Sequence, residues 1–349
     1  MEWTAGLLLA FAVSFALVFV VRKYALAKDI IDIPNHRSSH LQPTPRGGGI
    51  AFVVVFVLSL LVMGVRGMLP SVLSAGMTAS LVLVASTGFV DDWRGLSPKT
   101  RLLLHMLAAT PGLWAIGGVP SLSFAGFMIP SGVWLTGFGL LFLVWYLNLF
   151  NFMDGIDGIA AVETITIALS GSLLFALSHH ADGAMMPLFL VASVLGFLCW
   201  NFPRARIFMG DAGSGFLGLT LGLLTLLAGH TAPELFWGWL IFAGVFVVDA
   251  TTTLLVRLFR RRNVFDAHRT HAYQHAARQS SHQSVVALVF ILNSMWLLPL
   301  GLLAGLGKLD GFLALVIAWL PLVLLALVLG AGTAETELCG EKNGIKGVS

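Results

Sequence analysis

Five aspartates and two asparagines are the residues of this 349-residue chain best suited to chemistry: Asp91 and Asp92 side by side, Asn148, Asn151, Asp154 and Asp157 at intervals of three, and Asp211 alone. Carboxylates gathered in one place repel each other unless a cation sits among them, and hard oxygen ligands of this kind suit Mg2+ or Mn2+. Arg46, Lys99 and Arg101 accompany them, so the metal is expected to arrive with phosphates. Three histidines, His268, His271 and His275, follow in a basic loop with Arg269 in their midst. Their i, i+3, i+7 spacing would put them on one helical face. No carboxylate stands at the H-E-x-x-H position, however, and Arg269 would repel a divalent ion, so contact with phosphate or sugar is expected rather than zinc.

Composition dictates what must position these residues. Hydrophobic residues make up 57% of the chain and charged residues 11%, with a mean hydropathy of +0.90. A soluble protein carries more than twice that share of charge, so lipid is the solvent here. A net charge of +3 gives no handle for nucleic acid. Cys199 and Cys339 offer neither a disulfide framework nor metal-ligand spacing.

Apolar runs long enough to cross a ~30 Å hydrocarbon core as helix fall at residues 7–21, 49–65, 72–90, 102–119, 133–150, 159–177, 185–200, 213–229, 235–256, 285–306 and 312–329. The expected fold is therefore an all-α integral membrane protein of about eleven transmembrane helices, with one multi-span catalytic domain over residues 1–331 and a short polar tail at 332–349. The first span lacks a small-residue cleavage site and runs into Arg22 and Lys23, which reads as a retained helix. Of the 20 Lys and Arg residues, all but Arg66 and Lys308 fall on one side of this arrangement. That side is the cytoplasm, with the N-terminus outside (periplasmic) and the C-terminus inside. All five aspartates, the asparagines and the three histidines share the cytoplasmic face.

Residues three apart on a regular helix fan out, here across roughly 180° from Asn148 to Asp157. Span five is therefore expected to end near Asn151, with Gly155 and Gly158 letting a turn gather the later acids. Gly213, Gly215 and Gly218 match G-x-G-x-x-G, but no strand precedes them. Close helix packing is expected instead, with amides at the start of span eight open to a phosphate. Arg46-Gly47-Gly48-Gly49 reads equally as a phosphate-contacting loop or as a close-packed start to span two. Asp249 is read as the one acid inside a span, paired with a neighbouring Asn or Thr or else supporting the site. The uncharged stretch 120–131 is expected to form an outer interfacial hairpin or loop. Glycine-rich spans could pack within one chain or between two, so a homodimer is compatible with the sequence.

Three strings, GFVDDWRGLSPKTRLLLH around Asp91-Asp92, NLFNFMDGIDG from Asn148 and RIFMGDAGSGFLG around Asp211, resemble the polyprenyl-phosphate N-acetylhexosamine-1-phosphate transferases, bacterial glycosyltransferase family 4. TPRGGG and the basic histidine loop extend the resemblance over about residues 31–279. The resemblance implies an enzyme of the bacterial inner membrane, with its site facing the cytoplasm. It would move a sugar-1-phosphate from a UDP-N-acetylhexosamine to undecaprenyl phosphate with Mg2+, releasing UMP, as the first membrane step of O-antigen or related envelope glycan synthesis. The sugar would be GlcNAc or a 6-deoxy relative such as N-acetylfucosamine. By the same resemblance Asp211 and Asn151 are metal ligands, with Asp154 and Asp157 beside them. Asp91 or Asp92 orients or deprotonates the lipid phosphate, and Lys99, Arg101, Arg46, Asn148, His268, Arg269, His271 and His275 bind substrate. One departure falls in the last loop, where Tyr273 and Gln274 occupy the pair that many members fill with histidines. The competing reading, a transporter of an anionic or lipid-linked solute, predicts midplane polar residues on broken helices and matching halves; here the polar cluster lies at one face.

Overall fold

The structure, a computed structural model, describes residues 2–34, 42–124, 127–262 and 268–333. The polar tail and its Lys342 and Lys346, together with Arg37 and Cys339, lie outside the described residues. The helices in chain order are α1 (Glu2–Ala27), α2 (Gly49–Val65), α3 (Ser71–Arg94), α4 (Pro98–Ala115), α5 (Thr136–Met153), α6 (Ile159–Leu177), α7 (Met185–Asn201) and α8 (Asp211–Thr231). They continue with α9 (Pro233–Phe242), α10 (Gly244–Phe259), α11 (Ala272–Gln279), α12 (His282–Ile291), α13 (Leu298–Gly305) and α14 (Gly311–Val328). Two antiparallel pairs complete the described chain: β1 (Ile31–Asp32) with β2 (Thr44–Pro45), and β3 (Leu122–Phe124) with β4 (Phe127–Ile129). The second pair is the expected hairpin in the uncharged stretch.

Every predicted span falls on helix. Among the described residues, eight helical segments are long and apolar enough to cross a membrane, nine if α9 and α10 count as one span bent by 70°. Neither α2, with its 17 residues, nor α4, which carries Lys99, Arg101 and His105, is among the eight. A π-helical segment, Leu292–Leu297, joins α12 to α13.

At the centre stands α8, whose spanning window is 94% buried, whereas that of α1 is 17% buried and turns to lipid. The small residues of α8 explain its place. A Cβ on Gly218 would lie 2.4 Å from the Tyr146 carbonyl oxygen of α5, and one on Gly213 would lie 2.9 Å from Gly49 Cα of α2. The G-x-G-x-x-G match is thus a packing feature, as the missing strand implied. Thr220 and Thr225 donate their hydroxyls to carbonyls one turn back, so the buried helix leaves neither of them unpaired.

The glycines of the arginine-glycine run also pack closely. Gly48 and Gly49 donate their N–H groups to the Phe208 and Met209 carbonyls, and Phe208 donates to Pro45. A Cβ on Gly49 would fall 2.6 Å from Gly213 Cα, so these two glycines bring α2 against the start of α8. Asp249 is not the only acid inside a span. Glu163 of α6 is fully buried and accepts a 2.6 Å hydrogen bond from Asn293 Nδ2 in the π segment, with Thr166 Oγ1 at 2.7 Å from the same nitrogen. Glu163 stands about one turn into α6, inside the apolar run 159–177, and is a second carboxyl within a span.

Candidate active site

A cavity of about 320 Å3 opens where α3, α5 and α7 end and α8 begins. Helix ends suit this place physically, because their last carbonyls and first amides need partners from outside the helix. Arg46, Asp92, Asn151, Asp154, Asp157 and Asp211 line it, so six of the residues singled out from sequence meet there.

Asp92 ties the centre together. Its Oδ2 accepts the backbone N–H of Asp211 at 3.0 Å, Oδ1 lies 3.5 Å from the Arg46 guanidinium, and Arg46 also donates to the Asp92 carbonyl. The carboxylate thereby caps α8, whose own N-cap, Gly210, has no side chain to offer. This corrects the expectation that the first amides of α8 are open to a phosphate: Asp92 occupies the leading one. Gly88, one turn earlier on α3, makes the approach feasible, since a Cβ there would lie 2.5 Å from Asp211 backbone atoms.

Helix α5 runs to Met153, slightly past the expected end near Asn151, and Asp154 follows as its C-cap residue. Asn151 donates to Ser214 Oγ at 3.2 Å and to the Asp211 carboxylate, joining α5 to α8. Gly158, at φ +80°, donates its N–H to Asn201 Oδ1 at 2.7 Å and turns the chain into α6, as expected of a glycine there. Gly155 has another reason to be glycine. A Cβ on it would sit 2.2 Å from the Tyr273 hydroxyl. Asp157 accepts the Ala205 N–H at 3.2 Å and lies 3.5 Å from His282 Nδ1. The Asp154 carboxyl takes no hydrogen bond among the described residues. Burial, and then the charges of Asp211, Asp92 and Asp157, push it up to about 7.

The other residues singled out from sequence stand elsewhere. Asp91 does not line the cavity, although its charge and that of Arg101 reach Asp211; it lies 3.3 Å from Arg101 Nη1 and accepts the Leu96 N–H. Lys99 is exposed, and Asn148 donates to the Val144 carbonyl of its own helix. His268 and His271 precede α11, so the three histidines do not share a helical face. Their rings stack at 5.0 Å, and burial, with His271 and Arg257 nearby, pushes His268 down to about 3. His271 is buried and 3.4 Å from Asp249. Neither the three histidines nor Arg269 lines the cavity.

Four polar lining residues escaped sequence reasoning: Asp32, Asn201, Ser214 and His282. Asn201 and His282 sit at span ends on the charged side, the positional signal that picked out the aspartates. Asp32 arrives through the two-residue pairing of β1 with β2, which leaves no trace in hydropathy.

The donor set fits a hard divalent cation. Five carboxylates, those of Asp32, Asp92, Asp154, Asp157 and Asp211, line one cavity with the amides of Asn151, Asn201 and Gln274, and Asp154 takes no hydrogen bond there. Among the described residues no three Asp, Glu, His or Cys side chains are grouped so as to hold a metal ion by themselves. Mg2+ is commonly bound through one or two carboxylates together with substrate phosphates and waters.

Fold and cavity together define a polytopic helical membrane protein with an acidic, phosphate-compatible site at one end of its bundle. Residues 74–229 match the family model described as glycosyl transferase family 4. A decaprenyl-phosphate N-acetylglucosaminephosphotransferase of Mycobacterium leprae (strain TN) is 31% identical over 82% of this chain and 79% of its own length. A probable undecaprenyl-phosphate N-acetylglucosaminyl 1-phosphate transferase of Bacillus subtilis (strain 168) is 28% identical over 82% of each. A phospho-N-acetylmuramoyl-pentapeptide-transferase of Streptococcus pyogenes serotype M1 is 26% identical over 64% of this chain and 69% of its own. The chain belongs to the polyprenyl-phosphate N-acetylhexosamine-1-phosphate transferase family.

Proposed function

We propose that this protein transfers N-acetylglucosamine-1-phosphate from UDP-N-acetylglucosamine to undecaprenyl phosphate or a close polyprenyl relative, releasing UMP. The observation that carries the reading is the convergence of Asp92, Asp154, Asp157 and Asp211 with Arg46 in one cavity of a chain from this family. The names of the mycobacterial and Bacillus relatives favour GlcNAc over a 6-deoxy sugar. The excess of Lys and Arg on the same side favours a cytoplasmic site in the inner membrane, in an eleven-span arrangement with the N-terminus outside.

In this reading Asp211 and Asn151 hold Mg2+, with Asp154 and Asp157 adjoining. A divalent ion held there would supply charge neutralisation for the pyrophosphate. An oxygen of the lipid phosphate attacks the sugar-bearing phosphorus, and the bond from that phosphorus to the oxygen shared with the uridylyl phosphate breaks. Because a phosphate monoester loses its second proton near pH ~6, the attacking group is already largely ionised at neutral pH. The task of the chain is thus to hold two anions in line. Arg46, anchored on Asp92, is placed to take a phosphate, and Asp92 keeps Asp211 in position by capping α8.

The test is Mg2+-dependent UMP release from UDP-GlcNAc that requires added undecaprenyl phosphate, run against a panel of UDP-sugars. Release without the lipid, or none with any UDP-sugar, would overturn the reading. A pH effect follows from Asp154. Below about 7 a proton competes with the cation for its carboxylate, so the Mg2+ concentration giving half the maximal rate should fall as pH rises from about 6 to 8. A half-saturating concentration unchanged over that range would place the cation away from Asp154.

A further inference from the structure

Helix α11 is held at both ends of a short relay. On one side the Asp249 carboxylate, projecting from α10, accepts the N–H groups of Ala272 and Tyr273 at 2.9 Å each and the Thr253 hydroxyl at 3.1 Å. Asp249 and Tyr273 are both buried. These amides are the first of α11 and have no partner within their own helix, so the carboxylate serves as a cap brought in from a neighbouring element. Gln274 closes the same turn by accepting the His271 N–H through Oε1 at 3.3 Å.

On the other side the Tyr273 hydroxyl donates to the Phe152 carbonyl at 3.0 Å. Phe152 lies in the last turn of α5, where carbonyls lack intrahelical donors, and two residues before Asp154. The phenol also lies against Gly155, where no Cβ fits beneath it. Burial and the neighbouring Asp249 and Asp154 charges keep Tyr273 well above its ordinary range, so its hydroxyl remains a donor at any physiological pH.

We propose that Asp249 and Tyr273 are positioning residues: Asp249 anchors α11 to α10, and the Tyr273 hydroxyl, acting through the Phe152 carbonyl and against Gly155, fixes the turn that presents Asp154 and Asp157 to the cavity. The inference rests on the reading that these acids hold a divalent cation beside phosphate. Groups that orient metal ligands typically change metal affinity by about 10- to 100-fold when removed, without themselves touching the metal.

The experiment compares purified full-length wild type, Tyr273→Phe, Gly155→Ala and the double variant. It measures Mn2+ affinity by electron paramagnetic resonance, thermal stability, and kcat and KM for the nucleotide sugar. Tyr273→Phe should weaken Mn2+ binding about tenfold and lower kcat by a similar factor, with KM within about twofold of wild type and the melting temperature nearly unchanged. Gly155→Ala should be worse, because its methyl group meets the hydroxyl. Adding Tyr273→Phe to it should restore part of the Mn2+ affinity. Asp249→Asn, which turns an amide toward the α11 N–H groups, should reduce Mn2+ affinity and turnover partially. Tyr273→Phe with wild-type Mn2+ affinity and kcat, or a double variant no better than Gly155→Ala, overturns the inference while leaving the cation reading intact. A wild-type enzyme that turns over yet binds no Mn2+ overturns both.

Discussion

Asp211→Asn should remove turnover, by about 10²- to 10³-fold in kcat, while the protein folds as before. Asp211 is the first residue of α8; its N–H is held by Asp92, its side chain accepts from Asn151, and it lines the cavity. Asparagine has the same shape and keeps the backbone bond to Asp92, so the helix start stays where it is. One negative charge is lost from a cluster whose function in this account is to hold a cation against phosphates. The same loss relieves repulsion among Asp92, Asp154 and Asp211 in the metal-free protein, so the melting temperature should hold or rise. Activity in membranes and thermal unfolding without Mg2+ check the two halves. Full activity would remove the central metal assignment, and a large drop in melting temperature would make Asp211 a structural residue.

Gly88→Ala should be nearly as damaging, for a reason unrelated to charge. A Cβ at Gly88 would lie 2.5 Å from Asp211 C, Asp211 O and Ala212 N, all of them backbone atoms with no flexible end to swing aside. Helices α3 and α8 would have to separate. The Asp92 cap on α8 spans that same contact, so Asp92, Arg46 and Asp211 would shift relative to one another. Overpacking of this kind costs roughly 1–3 kcal/mol, and a displacement of about 1 Å at a reacting centre costs about 10²-fold in rate. Turnover and melting temperature should therefore fall together, unlike in Asp211→Asn. A Gly88→Ala protein with wild-type rate would mean that the α3–α8 contact does not set the site.

Hydropathy made most of the fold legible because lipid enforces it: α2 and α6 begin and end at the residues where their apolar runs do. Long apolar runs hide interruptions, however. The predicted span at 235–256 is two helices meeting at Ala243, where no polar residue interrupts the apolar run, and the one at 285–306 contains a π segment, where Asn293 and Ser294 are too few to break the run.

At the site, the aspartates and Arg46 could be read from sequence because charge beside an apolar span is costly unless used. What each charge pairs with could not. Asp91 and Asp92 are adjacent in sequence yet project differently from α3, one to Arg101 and the other to Arg46 and α8. The histidine spacing misled in a similar way, since α11 begins only at Ala272 and makes His271 a cap beside Asp249. Asp249 bears out the pairing with a threonine that its sequence position suggested, and it also anchors a helix that reaches the aspartate turn.

The central claim is that a sugar moves together with its phosphate. The most direct measurement uses UDP-GlcNAc labelled only in the phosphate next to the sugar, incubated with the protein, Mg2+ and undecaprenyl phosphate. The account predicts that the label enters the lipid fraction and that the water-soluble product is unlabelled UMP. Label retained in released UDP, with only the sugar on the lipid, would contradict it.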